Sequence, residues 1–128
     1  MKKQILITGA SGFFAQNLIN YLPVKNYSYL LILRKKIKNL DKKNFTQIIV
    51  KDIFKKKFLF WFQYLTNVDT VIHLAWTLKK DFYQSKTNKI CYLGTVELAK
   101  AFKAKNIKRF IGIGSCAEYL WNNKIITT

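Results

Sequence analysis

Gly9, Gly12 and Ala15 stand three residues apart in the stretch ITGASGFFAQ, between an apolar run and a segment of helical periodicity. That spacing suits one kind of chemistry, the seating of phosphate groups against backbone. The first glycine permits a tight strand-to-helix turn. The second leaves room for a pyrophosphate beside the main chain, and a small third residue lets strand and helix pack closely. Ser11 lies inside the turn. The free amides at the start of the helix, at Gly12, Phe13 and Phe14, point at such phosphates with the helix dipole behind them. An ordinary glycine-rich strand-to-helix turn would use the same residues, so the surrounding elements must decide.

Other reactive side chains are sparse. His73 is the only histidine and sits inside an apolar run, TVIHLAW, where it reads as a core residue rather than a catalyst. Asp52 stands where it could cap the helix that starts near Phe54. Ser115 follows the end of an apolar run, where serine is also a common turn residue. Glu97 and Glu118 are too isolated for a paired-carboxylate mechanism. Cys91 and Cys116 form neither a disulfide framework nor, with one histidine and no CxxC, a metal-ligand spacing.

The elements that must position these groups alternate along the chain. Apolar runs at Gln4 to Thr8, Tyr29 to Leu33, Gln47 to Val50, Thr70 to Trp76 and Arg109 to Gly114 read as strands. Gly12 to Leu22 reads as a helix with Phe14, Leu18, Ile19 and Leu22 on one face, stopped by Pro23; Phe54 to Leu65 and Lys86 to Lys105 also read as helices. Strands that are continuously apolar rather than alternating belong to a parallel sheet covered on both faces. Right-handed crossovers then predict an α/β fold, a doubly wound parallel sheet of about five strands in the order 3-2-1-4-5. With 128 residues, no linker and no repeat, residues 1–128 form one domain.

The formal charge of +17 invites an anionic partner, yet Arg34 and Arg109 are the only arginines. A surface built to grip nucleic acid would use the bidentate arginine fork more often, so a nucleic-acid partner is disfavoured. Lys, Asn, Ile, Phe and Tyr are plentiful together, as an AT-rich coding sequence would produce. KKKFLFWFQYL reads as a sheet-covering helix with a solvated lysine start rather than a membrane-surface helix. The N-terminal MKKQILITGASGFF superficially mimics a secretory signal, but its apolar run is interrupted by Thr8 and the glycines. No uncharged run approaches the roughly 18 residues that span a bilayer. The expected location is cytoplasmic, with no membrane partner.

TGASGFFA resembles the TGxxGFxG signature of the extended short-chain dehydrogenase/reductases, specifically the NAD(P)-dependent epimerase/dehydratase family acting on nucleotide sugars. Later stretches agree in order: Asp52-Ile53 is similar to the family's acidic-hydrophobic pair that contacts adenine, and HLAW (His73 to Trp76) to the HLAA stretch whose backbone lies along the cofactor. LGTVELAKAFKAKNIKRF is similar to the segment with the Gly94-Thr95 pair, and GSCAEY to the segment carrying the active-site Ser/Thr, here Ser115. The resemblance implies a Rossmann-like domain with a cofactor site of Gly9, Ser11, Gly12, Phe13, Phe14, Arg34, Asp52, Ile53, Leu74 and Ala75, and with Ser115 as a catalytic residue. Cys91 stands where the family usually carries asparagine.

An acid closing the second strand would favour NAD, whereas an arginine accommodates the 2′-phosphate of NADP. Leu33 is followed by Arg34, Lys35 and Lys36, which leans to NADP over NAD. The family's chemistry also needs a Tyr-x-x-x-Lys pair on a later helix. Tyr21 and Lys25 have that spacing but lie beside Pro23 at the far end of the first helix, and they read as a decoy. The expectation is a cofactor-binding N-terminal portion without its C-terminal substrate domain. Such a portion is inactive alone and takes a nucleotide sugar only when the remainder is supplied. The rival readings are a non-catalytic dinucleotide-binding or scaffold module and a basic nucleic-acid binder.

Overall fold

The computed structural model describes residues 2–77 and 85–114. Strands β1 (Lys3–Thr8), β2 (Tyr27–Leu33), β3 (Phe45–Ile49), β4 (Val68–His73) and β5 (Arg109–Gly112) form one sheet in the order β3-β2-β1-β4-β5. Every neighbouring pair is parallel. This is the doubly wound order that the alternation of elements predicts.

The continuous apolar strands are explained by burial on both faces. Leu6 and Ile7 are adjacent, fully buried and on opposite faces. Leu6 joins Leu30, Ile32 and Val71 against Trp61, Leu98 and Ala101, supplied by α2 (Phe58–Tyr64) and α3 (Lys86–Ala104). Ile7 joins Tyr29, Leu31 and Leu33 against Ile19 of α1 (Phe13–Ile19). Each such side chain contributes about 1.5–3 kcal/mol on burial, so a polar residue at these core positions would come at a cost.

Two expectations are corrected. The buried stripe of α1 runs through Ala15 and Ile19, with Leu18 and Leu22 half-buried, while Phe14 is 58% exposed. Ala15, Ile19 and Leu22 fall at i, i+4 and i+7, and Phe14 lies one residue off that stripe. The helix also ends at Ile19 rather than Leu22. Tyr21 and Leu22 donate to the carbonyls of Leu18 and Ile19, so the last turn tightens to i→i−3 bonds before Pro23.

The helix expected from Phe54 to Leu65 is broken in two. A 3-10 turn at Ile53–Lys55 is followed by extended Lys56 and Lys57, and α2 starts at Phe58. The break has a cause on each side. Asp52 accepts a hydrogen bond from the Phe54 amide at 3.0 Å and caps the 3-10 turn. Glu97 of α3 accepts from the Phe58 amide at 2.8 Å and supplies the cap that Lys57 cannot.

Gly94 sets the distance between α3 and this turn. A Cβ placed there would lie 2.5 Å from Phe54 Cα and 2.8 Å from its carbonyl oxygen. On an exposed helix Gly→Ala would stabilise by about 1 kcal/mol. Here the added methyl meets backbone that cannot rotate away, and overpacking of this kind costs about 1–3 kcal/mol. Gly94→Ala is therefore expected to lower the unfolding free energy in a urea titration. A variant as stable as the parent would show that α3 does not rest on the Phe54 backbone.

Candidate functional site

The chain leaves β1 at Thr8 and turns at Gly9, whose φ of +69° lies in the left-handed region that side chains disfavour. A Cβ at Gly9 would also lie 2.8 Å from both Cα and N of Ala75, in the segment that follows β4. The two segments therefore touch backbone to backbone. The turn is closed by the Gly12 amide, which donates to the Gly9 carbonyl at 2.9 Å, and by the Ala10 amide, which donates to Ile32 at 3.3 Å. Gly12 then caps α1 in an extended conformation with no side-chain cap of its own.

Strand order reverses between β1 and β4, and it is here, beyond the carboxyl ends of the strands, that open α/β sheets hold ligands. A cleft of about 440 Å³ occupies that place. It brings together Gly9, Ser11, Gly12, Arg34, Asp52, Ile53, Leu74 and Ala75, residues contributed by four separate segments. Phe13 and Phe14 open α1 but turn their rings outward, 87% and 58% exposed, so only their backbone faces the turn. Ser115 lies outside the described residues.

A broader hollow of about 910 Å³ adjoins the cleft and shares Ser11, Arg34 and Lys51 with it; Lys35 and Lys36 complete a cationic wall. Among the described residues Asp52 is the one carboxylate lining the cleft, and it both caps the 3-10 turn and stands 4.0 Å from Lys55. That exposed pair contributes little to stability. The two sequence readings of Asp52, a cap and a cleft residue, are compatible.

Sequence reasoning missed Lys51, Thr87 and Ile90, which also line the cleft, as does Trp76 at the end of the HLAW stretch. Trp76 packs edge-on to Phe54 and donates through Nε1 to Asn88 Oδ1 at 3.2 Å. Lys51 carried no signal in a lysine-rich chain. Thr87 and Ile90 depend on the rotation of α3, which periodicity does not fix.

His73 is buried at the end of β4, between Thr8 and Thr95. Its Nδ1 lies 2.7 Å from Thr8 Oγ1, and its Nε2 lies 2.9 Å from Thr95 Oγ1. The imidazole is thus a core group, 7% exposed. Tyr21 and Lys25 lie after α1, at the amino end of the strands, where Lys3 pairs its amide with Asn26. The cleft is at the opposite end. Among the described residues there is no cluster of three or more His, Cys, Asp or Glu able to hold a metal ion. No helix among them is long and apolar enough to cross a membrane.

A parallel sheet wound on both faces, with a glycine turn at its switch point, defines a Rossmann-like α/β domain. The sequence profile of the NAD dependent epimerase/dehydratase family matches residues 5–127, and the chain belongs to that family. A comparison with curated proteins finds no match. Among solved structures, MoeE5 in complex with UDP-glucose and NAD is 20% identical, with a TM-score of 0.74 over 96% of this chain and 40% of its own. The Bordetella bronchiseptica enzyme WbmH in complex with NAD+ is 20% identical, with a TM-score of 0.68 over 86% of this chain and 38% of its own. A mutant uronate dehydrogenase from Agrobacterium tumefaciens complexed with NAD is 20% identical, with a TM-score of 0.68 over 90% of this chain and 42% of its own. The chain thus spans about two-fifths of the length of each, and at this identity the likeness is one of fold.

Burial lowers the His73 pKa from 6.5 to about 4. In the unfolded chain the imidazole takes up a proton near pH 6.5, while in the folded chain it resists protonation until about pH 4. The unfolded state therefore binds more protons in that window, and stability falls as pH falls from 6.5 towards 4. The loss reaches on the order of 3 kcal/mol below that range. Unfolding free energies measured across this window for the parent and His73→Gln are expected to converge towards low pH. Parallel curves for the two proteins would show that the ring is not held neutral.

Proposed function

We propose that the cleft holds a pyridine dinucleotide and that the chain is the cofactor-binding portion of an NAD(P)-dependent nucleotide-sugar epimerase, dehydratase or reductase. The observation that carries this reading is the Gly9 turn. A positive φ and a backbone contact with Ala75 exclude a side chain there, and the turn opens into a cleft at the switch point. The residues present fit the cofactor. Gly9, Ser11 and Gly12, with the first amides of α1, would take the pyrophosphate. Asp52 and Ile53 would border the adenine, and Leu74 and Ala75 would lie along the remaining length. Lys51, Lys35 and Lys36 add positive charge where a polyphosphate must approach.

When bound, a nicotinamide supplies a hydride acceptor and donor. The part of this chain is to bind it, orient it and exclude water along the Leu74–Ala75 wall. Ser115 would hydrogen-bond the reacting oxygen of the sugar. The nucleotide-sugar class is supported by the family and by MoeE5, solved with UDP-glucose and NAD.

Gly12 is not conformationally strained, since its φ is −78° and its ψ 161°. A Cβ there would lie 3.1 Å from the Gly9 oxygen, which the turn can absorb by a small shift. Gly12→Val is thus expected to keep the far-ultraviolet dichroism of the parent while its branched side chain fills the place of the pyrophosphate. Dinucleotide affinity should fall by more than about tenfold, or about 1.4 kcal/mol. Binding at the parental level would place the phosphate seat elsewhere.

Arg34 borders both the cleft and the adjoining hollow, the position from which a guanidinium accommodates a 2′-phosphate. The parent is expected to bind NADP more tightly than NAD, and Arg34→Ala to abolish that difference. Calorimetric titration showing NAD bound more tightly, with Arg34→Ala leaving the ratio unchanged, would overturn the NADP preference.

A further inference from the structure

We infer that His73 is a positioning residue of the cleft: as the neutral Nε2–H tautomer it orients the Thr8 hydroxyl, which in turn holds the Ala75 amide and the Leu74–Ala75 wall against the Gly9 turn. The inference rests on the reading of the cleft as a dinucleotide site.

Donor and acceptor bookkeeping gives the tautomer. Thr95 Oγ1 donates its single proton to the Cys91 carbonyl at 2.8 Å. Towards His73 Nε2, 2.9 Å away, it can then only accept, so Nε2 must carry the hydrogen. In a neutral ring Nδ1 is left with a lone pair, and it accepts from Thr8 Oγ1 at 2.7 Å. The proton of Thr8 is thereby committed. What Thr8 offers to its other side is a lone pair, and the Ala75 amide lies 3.4 Å from it. The opposite tautomer would set two lone pairs against each other between Nε2 and Thr95, or would make Thr95 abandon the Cys91 carbonyl.

One directed chain results. It runs from the Ala75 amide through the Thr8 hydroxyl, the His73 ring and the Thr95 hydroxyl to the Cys91 carbonyl, and ties β1, β4 and α3 together beneath the cleft. Burial supports it, because it keeps the ring uncharged. Among the described residues, the groups facing His73 are the hydroxyls of Thr8 and Thr95 and the Phe110 ring of β5, 6.0 Å away. The Leu74 amide is held separately, by the Thr8 carbonyl at 3.3 Å, so Thr8 grips two successive amides of the wall. The length of the Ala75 bond makes it sensitive to the hydroxyl's orientation.

His73 is the only histidine, so long-range 1H–15N correlation reads its tautomer without assignment ambiguity. The Nε2–H form is expected, and the Nδ1–H form would overturn the inference. Thr8→Val and Thr95→Val are expected to speed hydrogen exchange at the Ala75 amide and to weaken NAD binding about tenfold, the effect of one lost hydrogen bond. Thr8→Ser, which keeps the hydroxyl, should restore both. Because the two groups act through one ring, the double valine variant should bind NAD little worse than either single one. Loss of thermal stability with NAD affinity unchanged would leave these groups purely structural and refute the proposal. A parent that shows the Nε2–H tautomer yet binds neither NAD nor NADP overturns the reading of the cleft, and the positioning role falls with it. A parent that binds NAD with the other tautomer overturns the positioning role alone.

Discussion

The contact of Gly9 with the backbone of Ala75 is the constraint on which the site depends. Two strands that are neighbours in the sheet, β1 and β4, are followed by segments that touch where Gly9 meets Leu74 and Ala75. A Cβ at Gly9 would have to occupy space 2.8 Å from Ala75 Cα and N. Without that approach the wall formed by Leu74 and Ala75 would stand away from the turn, and the cleft would lose one side. The positive φ of Gly9 is the same requirement seen from the backbone, since it sends the chain back over the sheet end and into α1.

A second close approach sets the other side of the cleft. Gly94 lets α3 rest on the backbone of Phe54, and the 3-10 turn so held carries Ile53 next to Asp52. The Gly94-Thr95 pair therefore does two different things in adjacent positions. Gly94 removes volume so that α3 can approach the loop after β3, and Thr95 supplies a hydroxyl to the His73 ring. Glu97, one turn on, caps α2 and pairs with Lys100 at 2.9 Å. The Lys100 side-chain hydrogen bond, with that of the Phe58 amide, holds its carboxyl below the usual range. One stretch of α3 thus fixes the positions of α2, the 3-10 turn and β4.

The parts of this arrangement that were legible in the sequence are those written in backbone chemistry. Parallel strands buried on both faces must be continuously apolar, so β1, β2 and β4 and their order could be read directly. The glycine turn could be read because it is built from small residues and main chain at a fixed spacing; Asp52-Ile53 and Leu74-Ala75 came from the family resemblance, and the structure brings them to the same cleft. What was hidden depends on rotation about a helix axis or on contact across the fold. Periodicity placed Phe14 in the α1 face, one residue from the true stripe. It could not show that Glu97, across the fold, would cap α2 at Phe58, so the helix break at Lys56 and Lys57 was invisible. Nor could it show that Thr95 reaches the histidine.

Cys91 shows why a change of side chain need not change a network. It stands where the family resemblance places an asparagine, and its thiol is fully buried. A thiol is a poor substitute for an amide as a hydrogen-bonding group. What the hydroxyl of Thr95 uses, however, is the Cys91 carbonyl, which any residue in that helical turn would present. An i−4 carbonyl in a helix already has its amide partner, and its second lone pair is free to accept from a threonine one turn on. The chain of hydrogen bonds through His73 is consequently anchored in backbone at both ends, at the Cys91 carbonyl and the Ala75 amide. Its direction is set by α3 being a helix, and it tolerates at position 91 any side chain small enough to pack at full burial.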